Sequence, residues 1–335
     1  FEYIWLDSEN NSRSKTKVAK FDSCPSKVED LPLWNYDGSS TGQAVTEKSE
    51  VELRPVKMIK DPFRATETSF LVLCETYNID GTPHRDNTRS QAVTIFNMET
   101  KHLNPKFGLE QEFFISRQTA GGVVPVAFPD NQNYPRPQGD YYCGVGGANI
   151  LGRKYVEEIL KKLVYCELPI TGMNAEVAPG QWEFQVCSTG VDAADSLILV
   201  RYIINRVLER DYLQMDISAK PVKGDWNGSG CHINYSTSLM RDEGGFKYIE
   251  NALKNLEEAH ALHIRHYGSD NSDRLTGLHE TSSMYKFSYS VGGRNTSIRI
   301  PYSTKEAKRG YFEDRRPSSS LDPYKSTALL HATSV

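Results

Sequence analysis

Several stretches of this sequence alternate polar and apolar residues, and their polar positions carry groups that can do chemistry. Because side chains at alternate positions of a strand share a face, each stretch predicts a strand with one chemically equipped face. Residues 107–115 carry Glu110 and Glu112 on that face, and residues 181–186 carry Glu183. The other stretches contribute His232, Asn234, Ser236, Arg299, Tyr311, Glu313 and Arg315. Together they indicate a curved sheet that lines a polar cleft.

The acidic pair Glu110 and Glu112 points to a metal site. Their side chains are expected about 6–7 Å apart along one strand, and at an effective dielectric constant of roughly 20 they repel by about 2–3 kcal/mol. An isolated pair of this kind is usually a solvated strand face, but Glu176, Glu183 and Glu313 add further acids here. Carboxylates with one imidazole and no thiolate favour Mg²⁺ or Mn²⁺.

A nucleotide is compatible with this cleft, although neither common phosphate-binding loop is present. Residues 147–154 (GANILGRK) lack the GK[ST] ending of a P-loop, and residues 143–147 (CGVGG) do not follow GxGxxG. Phosphate charge would then be met by metal ions and by arginines, because a guanidinium binds phosphate or carboxylate with two hydrogen bonds. The candidate arginines are Arg274, Arg294, Arg299 and Arg315.

The composition is that of a globular protein and excludes several other classes. The chain has 335 residues, of which 38% are hydrophobic and 24% charged, and this length suggests about two domains. A net charge of −4 argues against nucleic acid as the main partner. No apolar run is long enough for a membrane helix, so we expect no membrane partner. The six cysteines form no CxxC pair, which favours a reducing, cytoplasmic location.

Strands and turns dominate the N-terminal quarter of the chain, and helices follow. Periodicity and turn residues predict strands at residues 1–6, 17–21, 50–55 and 70–75. They predict helices at residues 88–103, 150–167, 192–213 and 246–267. The polar, turn-rich residues 78–87 mark the expected domain boundary. Residues 116–142, rich in Gly, Pro and Asn, predict a long loop beside the site, and residues 268–283 predict a lid.

The motifs of the chain, taken together, resemble those of eukaryotic-type (type II) glutamine synthetases. Residues 36–40 (YDGSS), followed by Ser49 and Glu50, are similar to the N-terminal signature of that family. Residues 220–236 (KPVKGDWNGSGCHINYS) match its ATP-region signature at every specified position. Further similar motifs, in the family's order, are GLEQE (108–112), PQGDYYCGVG (137–146), NAEVAPGQWEFQ (174–185), RLTGLHET (274–281), SIRIP (297–301) and GYFEDRRP (310–317). The chain departs from the family pattern at Lys106, Asp140, Cys187-Ser188, Gly292-Gly293 and Tyr302.

The resemblance implies an α+β fold with two domains. Residues 1–84 would form an N-terminal β-grasp domain, and residues 85–335 a large catalytic domain with a curved antiparallel sheet flanked by helices. The family also implies a homo-oligomer, a decamer of two stacked pentameric rings. In such rings the N-terminal domain of one subunit completes the active site of its neighbour.

The resemblance also assigns two metal sites and ATP as co-substrate. One ion would be held by Glu112, Glu176 and Glu183, and the second by Glu110, His232 and Glu313. All of these residues except Glu176 are acids or the imidazole that alternation places on the polar faces. The positions that match contacts to ATP are Asn234, Ser236, Arg241 and Tyr311, with Arg294 and Arg299 at the phosphates.

The remaining matches concern the substrates L-glutamate and ammonium. The positions that hold glutamate in the family correspond to Asn227, Gly228, Arg274 and Arg315. Asp37 and Glu280 match the residues that bind ammonium and take its proton, and Arg294 completes the implied catalytic set. An isolated Asp-Gly pair such as Asp37-Gly38 is otherwise an ordinary turn.

The implied reaction has two steps. ATP phosphorylates the γ-carboxylate of glutamate, and ammonia then displaces phosphate to give glutamine, with ADP and phosphate as the other products. Two alternatives remain open on the sequence: a γ-glutamyl ligase that accepts another amine, and a non-catalytic homologue of the same fold. Retention of all six implied metal ligands favours a working enzyme.

Overall fold

The computed structural model of the chain describes residues 1–64, 66–128 and 138–335. The chain forms two compact units. The first comprises Phe1–Thr94 and Lys162–Leu168, and the second comprises Ile95–Lys161 and Pro169–Val335. Sheets and helices both occur, which confirms the predicted mixture of α and β structure. Within the described ranges, no helix is both long enough and apolar enough to cross a membrane.

The first unit is built on a five-stranded sheet with the spatial order β2-β1-β5-β4-β3. Its strands are β1 (Glu2–Leu6), β2 (Ser12–Thr16), β3 (Trp34–Asp37), β4 (Glu50–Lys60) and β5 (Phe70–Tyr77). Strands β1 and β5 run parallel, and the other neighbours are antiparallel. The sheet therefore has a parallel pair in its middle and antiparallel strands on either side.

The hydrophobic core beside this sheet is formed by alternate residues of its strands, which share one face. Tyr3 and Trp5 lie on one face of β1 and are buried with Tyr36 and Leu53 in a single hydrophobic cluster. The ring centroids of Trp5 and Tyr36 are 4.5 Å apart. Burial of each such side chain contributes about 1.5–3 kcal/mol. These contacts fix which face of β3 and β4 turns inward.

The predicted strand at residues 17–21 is wrong, because the second strand is Ser12–Thr16. A tight turn makes the chain reverse earlier than expected. Oδ1 of Asp7 accepts hydrogen bonds from the backbone N–H groups of Glu9 and Asn11, both at 2.9 Å. The polar sequence of β2 shows no apolar alternation, so only the turn chemistry could have indicated it.

The second unit is built on a nine-stranded sheet with the order β12-β13-β14-β11-β6-β9-β8. Its strands are β6 (Lys106–Thr119), β7 (Gly122–Pro125), β8 (Ile170–Ala175), β9 (Gln181–Thr189), β10 (Leu213–Asp216), β11 (Cys231–Ser236), β12 (Tyr289–Val291), β13 (Ile298–Ile300) and β14 (Phe312–Asp314). Strands β7 and β10 also pair with β6. The pairs are antiparallel except β12 with β13.

Helices occur at the four places where periodicity predicts them, with different bounds, and α4, α7 and α8 occur where none was predicted. They are α1 (Thr88–Phe96), α2 (Arg153–Tyr165), α3 (Val191–Leu208), α4 (Ser238–Arg241), α5 (Phe246–Glu258), α6 (His260–His266), α7 (Tyr302–Ala307) and α8 (Pro323–Ser334). The predicted helix 246–267 is two helices, because Ala259 leaves the helical region at φ −89° and ψ 9°. A 3₁₀ helix, Glu99–Leu103, follows α1.

Helix α3 forms the centre of the second unit and holds β6 from behind. Its residues 193–204 are all buried, and the helix packs on β6, β9, β10 and α8. The buried Arg201 donates from Nε to Oε1 of Gln111 at 2.8 Å. Its other nitrogens donate to the backbone oxygens of Ser319 and Leu321, both at 3.0 Å. These bonds fix the face of β6 opposite Glu110 and Glu112.

The two predicted loops have different outcomes. The loop predicted at 116–142 begins later than expected, because β6 runs on to Thr119 and β7 returns along it. Residues 129–137 of this loop lie outside the described residues. The predicted lid, residues 268–283, consists of turns in which Nδ2 of Asn271 donates to the backbone oxygen of Arg316 at 2.7 Å. Its movement as a lid stays a prediction.

A buried ion pair anchors β14, the strand that carries Glu313. Arg316 and Asp314 are both fully buried, with Nη2 and Oδ2 2.7 Å apart and Nε and Oδ1 2.9 Å apart. The hydroxyl of Tyr267 donates to Oδ2 of Asp314 at 2.8 Å. Removing one partner of such a pair leaves an uncompensated buried charge.

We expect Arg316→Leu to lower the free energy of unfolding by about 3–5 kcal/mol, because Asp314 then stays buried without its cation. Urea denaturation followed by tryptophan fluorescence measures this loss. Arg210→Leu is the matched control, since Arg210 pairs with Glu158 at an exposed site and such pairs contribute less than about 1 kcal/mol. Equal, small losses in both variants would contradict the prediction.

Candidate active site

The register of the second unit's sheet brings acids from three strands together. Glu112 of β6 lies directly opposite Glu183 of β9. On the other side of β6, Glu110 lies opposite His232 of β11. Strand β14 pairs with β11 and adds Glu313. The polar faces expected from alternation therefore meet at one place on the sheet.

Burial and mutual repulsion disfavour the charged forms of three carboxyl groups, those of Glu112, Glu183 and Glu176, which directly follows β8. Burial raises the pKa of Glu112 to about 8, and the carboxylate of Glu176 adds to the shift. Burial also raises the pKa of Glu176 to about 8, with a contribution from Glu183, and that of Glu183 to about 8, with a contribution from Glu110. Charged side chains directly opposite each other on paired strands, about 5 Å apart, repel by about 3 kcal/mol at an effective dielectric constant of roughly 20.

A second group of donors surrounds the imidazole of His232. One oxygen of Glu110, one oxygen of Glu313 and one ring nitrogen of His232 lie within 4.8 Å of one another. Nδ1 of His232 is 3.3 Å from Oε2 of Glu110 and 3.4 Å from Oε1 of Glu313. Burial, and then the charge of Arg315, keep the pKa of His232 well below its usual value. Two carboxylates and a neutral imidazole fit a divalent cation.

Neutral groups orient the carboxylates. Oε2 of Glu112 accepts from the backbone N–H of Gly230 at 2.8 Å and from Nε2 of Gln181 at 3.2 Å. The side-chain amide of Asn234 donates to Glu110 at 2.7 Å. In the same way, Asn174 donates to Glu176 at 2.9 Å and Gln185 donates to Glu183 at 2.8 Å. Such outer contacts fix the orientation of metal-binding carboxylates without neutralising them.

Arginines supply the positive charge around Glu313. Nη1 of Arg299 lies 2.9 Å from Oε2 of Glu313, and Nη1 of Arg315 lies 2.6 Å from Oε1. The buried Arg274 donates to the backbone oxygens of Arg315 (3.0 Å) and Arg316 (3.3 Å). Arg294 differs, because its exposed guanidinium makes no hydrogen bond or ion pair with any residue of the described ranges. It is available to an incoming anion.

Most predicted site residues line one polar cavity of about 270 Å³ in the second unit. All six predicted metal ligands line it. The predicted glutamate, phosphate and ammonium residues in its wall are Asn227, Gly228, Arg274, Glu280, Arg294, Arg299 and Arg315. Gly228 packs closely there, since a Cβ would lie 3.0 Å from Cγ of Arg274.

The predicted ATP residues line a neighbouring cavity of about 410 Å³. Asn234, Ser236, Arg241 and Tyr311 all belong to its wall. The two cavities share Glu110 and Gln185. Arg241 is held in place, because its Nη1 donates to Oγ of Ser236 at 2.9 Å and to the backbone oxygen of Ser236 at 3.0 Å.

Asp37 is the predicted site residue that lines neither cavity. It belongs to the first unit and ends β3. Hydrogen bonds from Ser39 and Ser40 lower its pKa to about 2. Its Oδ1 also accepts from the backbone N–H of Ser39 at 3.0 Å and so caps a short 3₁₀ helix, Gly38–Thr41. The turn expected of an isolated Asp-Gly pair is therefore present, and its carboxylate stays charged.

Sequence reasoning assigned no role to several residues that line the polar cavity. They are Tyr142, Asn174, Val177, Gln185, His279 and Thr281. Alternation could have found two of them, because Asn174 lies two residues before Glu176 and Gln185 lies two residues after Glu183. The others follow no strand periodicity, since they lie in turns whose path only the fold determines.

The comparisons with known proteins agree with this site. The family described as "Glutamine synthetase, catalytic domain" matches residues 86–334. The chain belongs to the eukaryotic-type glutamine synthetases. A glutamine synthetase of Tuber borchii is 47% identical over 334 residues, which cover 99% of this chain and 91% of that protein. Glutamine synthetases of Neurospora crassa and Saccharomyces cerevisiae are each 46% identical over 99% of this chain, and over 90% and 88% of their own lengths.

The match confirms the resemblance predicted from the motifs. It covers all of the site in the second unit, from Glu110 to Arg315. The family uses ATP and a divalent metal ion, and the donor sets around Glu112 and His232 suit such an ion.

We expect the stability of the metal-free protein to fall as the pH rises from about 5 to about 8. A buried carboxyl with a raised folded-state pKa stabilises the fold only while it is protonated, and Glu112, Glu176 and Glu183 all have a pKa of about 8. Added Mg²⁺ or Mn²⁺ should therefore raise Tm more at pH 8 than at pH 6. Thermal melts in EDTA and in each cation measure both effects.

The matched control for this titration is Glu176→Gln, which removes one of the three charges. Its Tm should depend less on pH than that of the unaltered protein. A cation-induced gain in Tm that is the same at both pH values would contradict the prediction.

Proposed function

We propose that the two adjoining cavities hold glutamate and ATP side by side and join ammonia to the γ-carboxylate of L-glutamate. As a member of its family the chain is a glutamate–ammonia ligase that makes glutamine at the expense of ATP. The observation that carries this proposal is that the cavities meet at Glu110, between the polar cavity and the ATP residues.

Two divalent cations, Mg²⁺ or Mn²⁺, would be held by the acids and His232. Glu112, Glu176 and Glu183 form one set, and Glu110, His232 and Glu313 form the other. When bound, such ions shield the negative charge of phosphates and carboxylates that must approach each other. The raised pKa of Glu112 and its neighbours supports the first set, and the short distances around His232 support the second.

ATP would occupy the second cavity, with its phosphates toward Glu110. Asn234, Ser236, Arg241 and Tyr311 would contact the nucleotide, and the hydrogen bonds from Arg241 to Ser236 preset one wall. Arg294 and Arg299 would bind the phosphates. The guanidinium of Arg294, which has no partner among the residues that the structure describes, supports its role in stabilising the charge of the transferred group.

Glutamate would bind in the polar cavity through Asn227, Gly228, Arg274 and Arg315. Its γ-carboxylate attacks the terminal phosphorus of ATP, the bond from that phosphorus to the bridging oxygen breaks, and ADP leaves. The product, γ-glutamyl phosphate, has a better leaving group than a carboxylate, which could only expel oxide or hydroxide. Ammonia then attacks the carbonyl carbon, and phosphate departs.

Ammonium must lose a proton before it can attack. Asp37, charged because of its serine partners, and Glu280, in the wall of the polar cavity, would attract the cation and accept its proton. Residues 268–283, which carry Glu280, would close over the acyl phosphate and keep water away from it.

The family also suggests how the domains and the subunits of the protein are arranged. Residues 1–84 would be a β-grasp domain, for which the mixed sheet of the first unit is support, and residues 85–335 the catalytic domain. The subunits would form a cytoplasmic decamer of two stacked pentameric rings. In this arrangement Asp37 would act in the active site of the neighbouring subunit.

We expect Glu112→Gln to reduce glutamine synthesis by more than about 100-fold, because the amide keeps the shape of the side chain but removes the charge that holds the cation. Phosphate release with Mg²⁺, ATP, glutamate and ammonia is the assay. The melting temperature in EDTA should not fall, since the amide resembles the protonated carboxyl that burial favours there. Glu257→Gln, on the exposed side of α5, is the control. Glu112→Gln activity within tenfold of the control would remove Glu112 from the metal site.

The amine substrate is tested by comparing ammonia with methylamine and with polyamines. We expect ammonia to be preferred, because Asp37 and Glu280 offer charge to a small cation but no apolar contact to an alkyl chain. Initial rates of phosphate release with each amine decide the point. A preference for a larger amine would favour the alternative γ-glutamyl ligase. No release with any amine would favour the non-catalytic homologue.

A further inference from the structure

The turn between β12 and β13, residues 292–295, carries the one cavity arginine whose guanidinium has no hydrogen-bond partner in the described ranges. That residue is Arg294. Arg274, Arg299 and Arg315 are all fixed by hydrogen bonds of their own. A long side chain with no partner takes its position from its backbone. The placement of Arg294 therefore depends on what holds the 292–295 turn.

Two arginines hold this turn from the side of the cavity. Nε of Arg315 donates to the backbone oxygen of Arg294 at 3.0 Å, and Nε of Arg299 donates to that of Gly292 at 3.4 Å. The same two guanidinium groups bind the carboxylate of Glu313. The turn is thus connected to the metal-binding strand β14.

A tyrosine ring covers the turn from outside. Gly292 has a φ of +77°, which a residue with a side chain rarely adopts. A Cβ at Gly292 would lie 2.7 Å from Cζ and 2.9 Å from Oη of Tyr302, so the ring packs directly on the α-carbon. Tyr302 is the first residue of α7 and is 66% exposed. Its hydroxyl makes no hydrogen bond within the described ranges, so the contact is made by the ring.

We propose that Tyr302 is a positioning residue, whose ring on Gly292 fixes the 292–295 turn and so directs Arg294 at the phosphoryl group in transfer. This inference rests on the proposed function, in which Arg294 binds that group. Tyr302 is not among the residues that line either cavity, so its effect would pass through Arg294. Small displacements of a group that acts on the transition state can reduce rates by about 10- to 100-fold.

We expect Tyr302→Ser to lower kcat by about 10- to 100-fold while KM for glutamate changes less than about twofold. Asn227, Gly228 and Arg274, the proposed glutamate residues, lie on other segments of the chain. Tyr302→Phe should keep nearly full activity, because it retains the ring. Tyr212→Ser, at another exposed tyrosine, is the control and should behave like the unaltered protein. Thermal melts check that each variant is folded.

The decisive measurement is a double-mutant cycle with Arg294→Ala. If Tyr302 acts through Arg294, then Tyr302→Ser should cost less than about twofold in the Arg294→Ala background. A loss of the same size in both backgrounds would show a general structural role and overturn the inference. If Tyr302→Ser does not fold, Tyr302→Leu replaces it, since leucine keeps apolar bulk but not the flat ring, with the same expected results.

The two levels of proposal fail differently. Full activity of Arg294→Ala would remove Arg294 from the proposed function, and the role of Tyr302 would end with it. Impaired activity of Arg294→Ala together with full activity of Tyr302→Ser would overturn only the positioning role. Loss of activity in Tyr302→Phe equal to that in Tyr302→Ser would also overturn it, because the ring would then not be the group that matters.

Discussion

Mutual repulsion among buried carboxylates is the constraint on which the site depends. Glu112 and Glu183 face each other across paired strands, and Glu176 approaches both, with neutral amides as their hydrogen-bond partners. A folded chain can tolerate this only if the acids take up protons or if cations bind between them. Glutamine synthesis needs bound cations, because a cation that neutralises the charge of these acids can also neutralise the charge of the phosphates of ATP.

The scaffold around this charge is rigid because further buried polar groups are fully bonded behind it. Arg201 fixes the far face of β6 through Gln111, and the Arg316–Asp314 pair fixes β14. Arg201 and the Arg316–Asp314 pair both place charged groups in the core, which lowers stability unless every donor has an acceptor. The positions of Glu110, Glu112 and Glu313 are thereby set from the side away from the cavity. Glu110 and Glu112 then need only neutral hydrogen bonds to hold their rotamers, whereas Arg299 and Arg315 hold Glu313.

Alternation predicted most of the site because each side chain of a strand lies on one of only two faces. Several acids on the same face therefore indicate which face lines the cleft. This rule alone was enough to group Glu110, Glu112, Glu183 and His232. It could not predict Arg201, since a charged residue in a helix normally indicates a solvated face, nor the early strand Ser12–Thr16, whose place depends on one aspartate turn. Asp37, in the first unit, was indicated only by the family resemblance.

The two donor sets are not equivalent in charge. Glu313 already has two guanidinium partners, Arg299 and Arg315, whereas the donors that reach Glu112 from the described part of the chain are all neutral. Within the described residues, no arginine or lysine forms an ion pair with Glu112, Glu176 or Glu183, although the charge of the more distant Arg274 offsets part of the rise in the pKa of Glu112. Glu313, in contrast, forms two such pairs. A cation in the first set would chiefly relieve repulsion that the fold has created. A cation beside Glu313 would share its ligand with the arginines that also hold the 292–295 turn, so in the proposed function metal and phosphate recognition would meet at that one carboxylate.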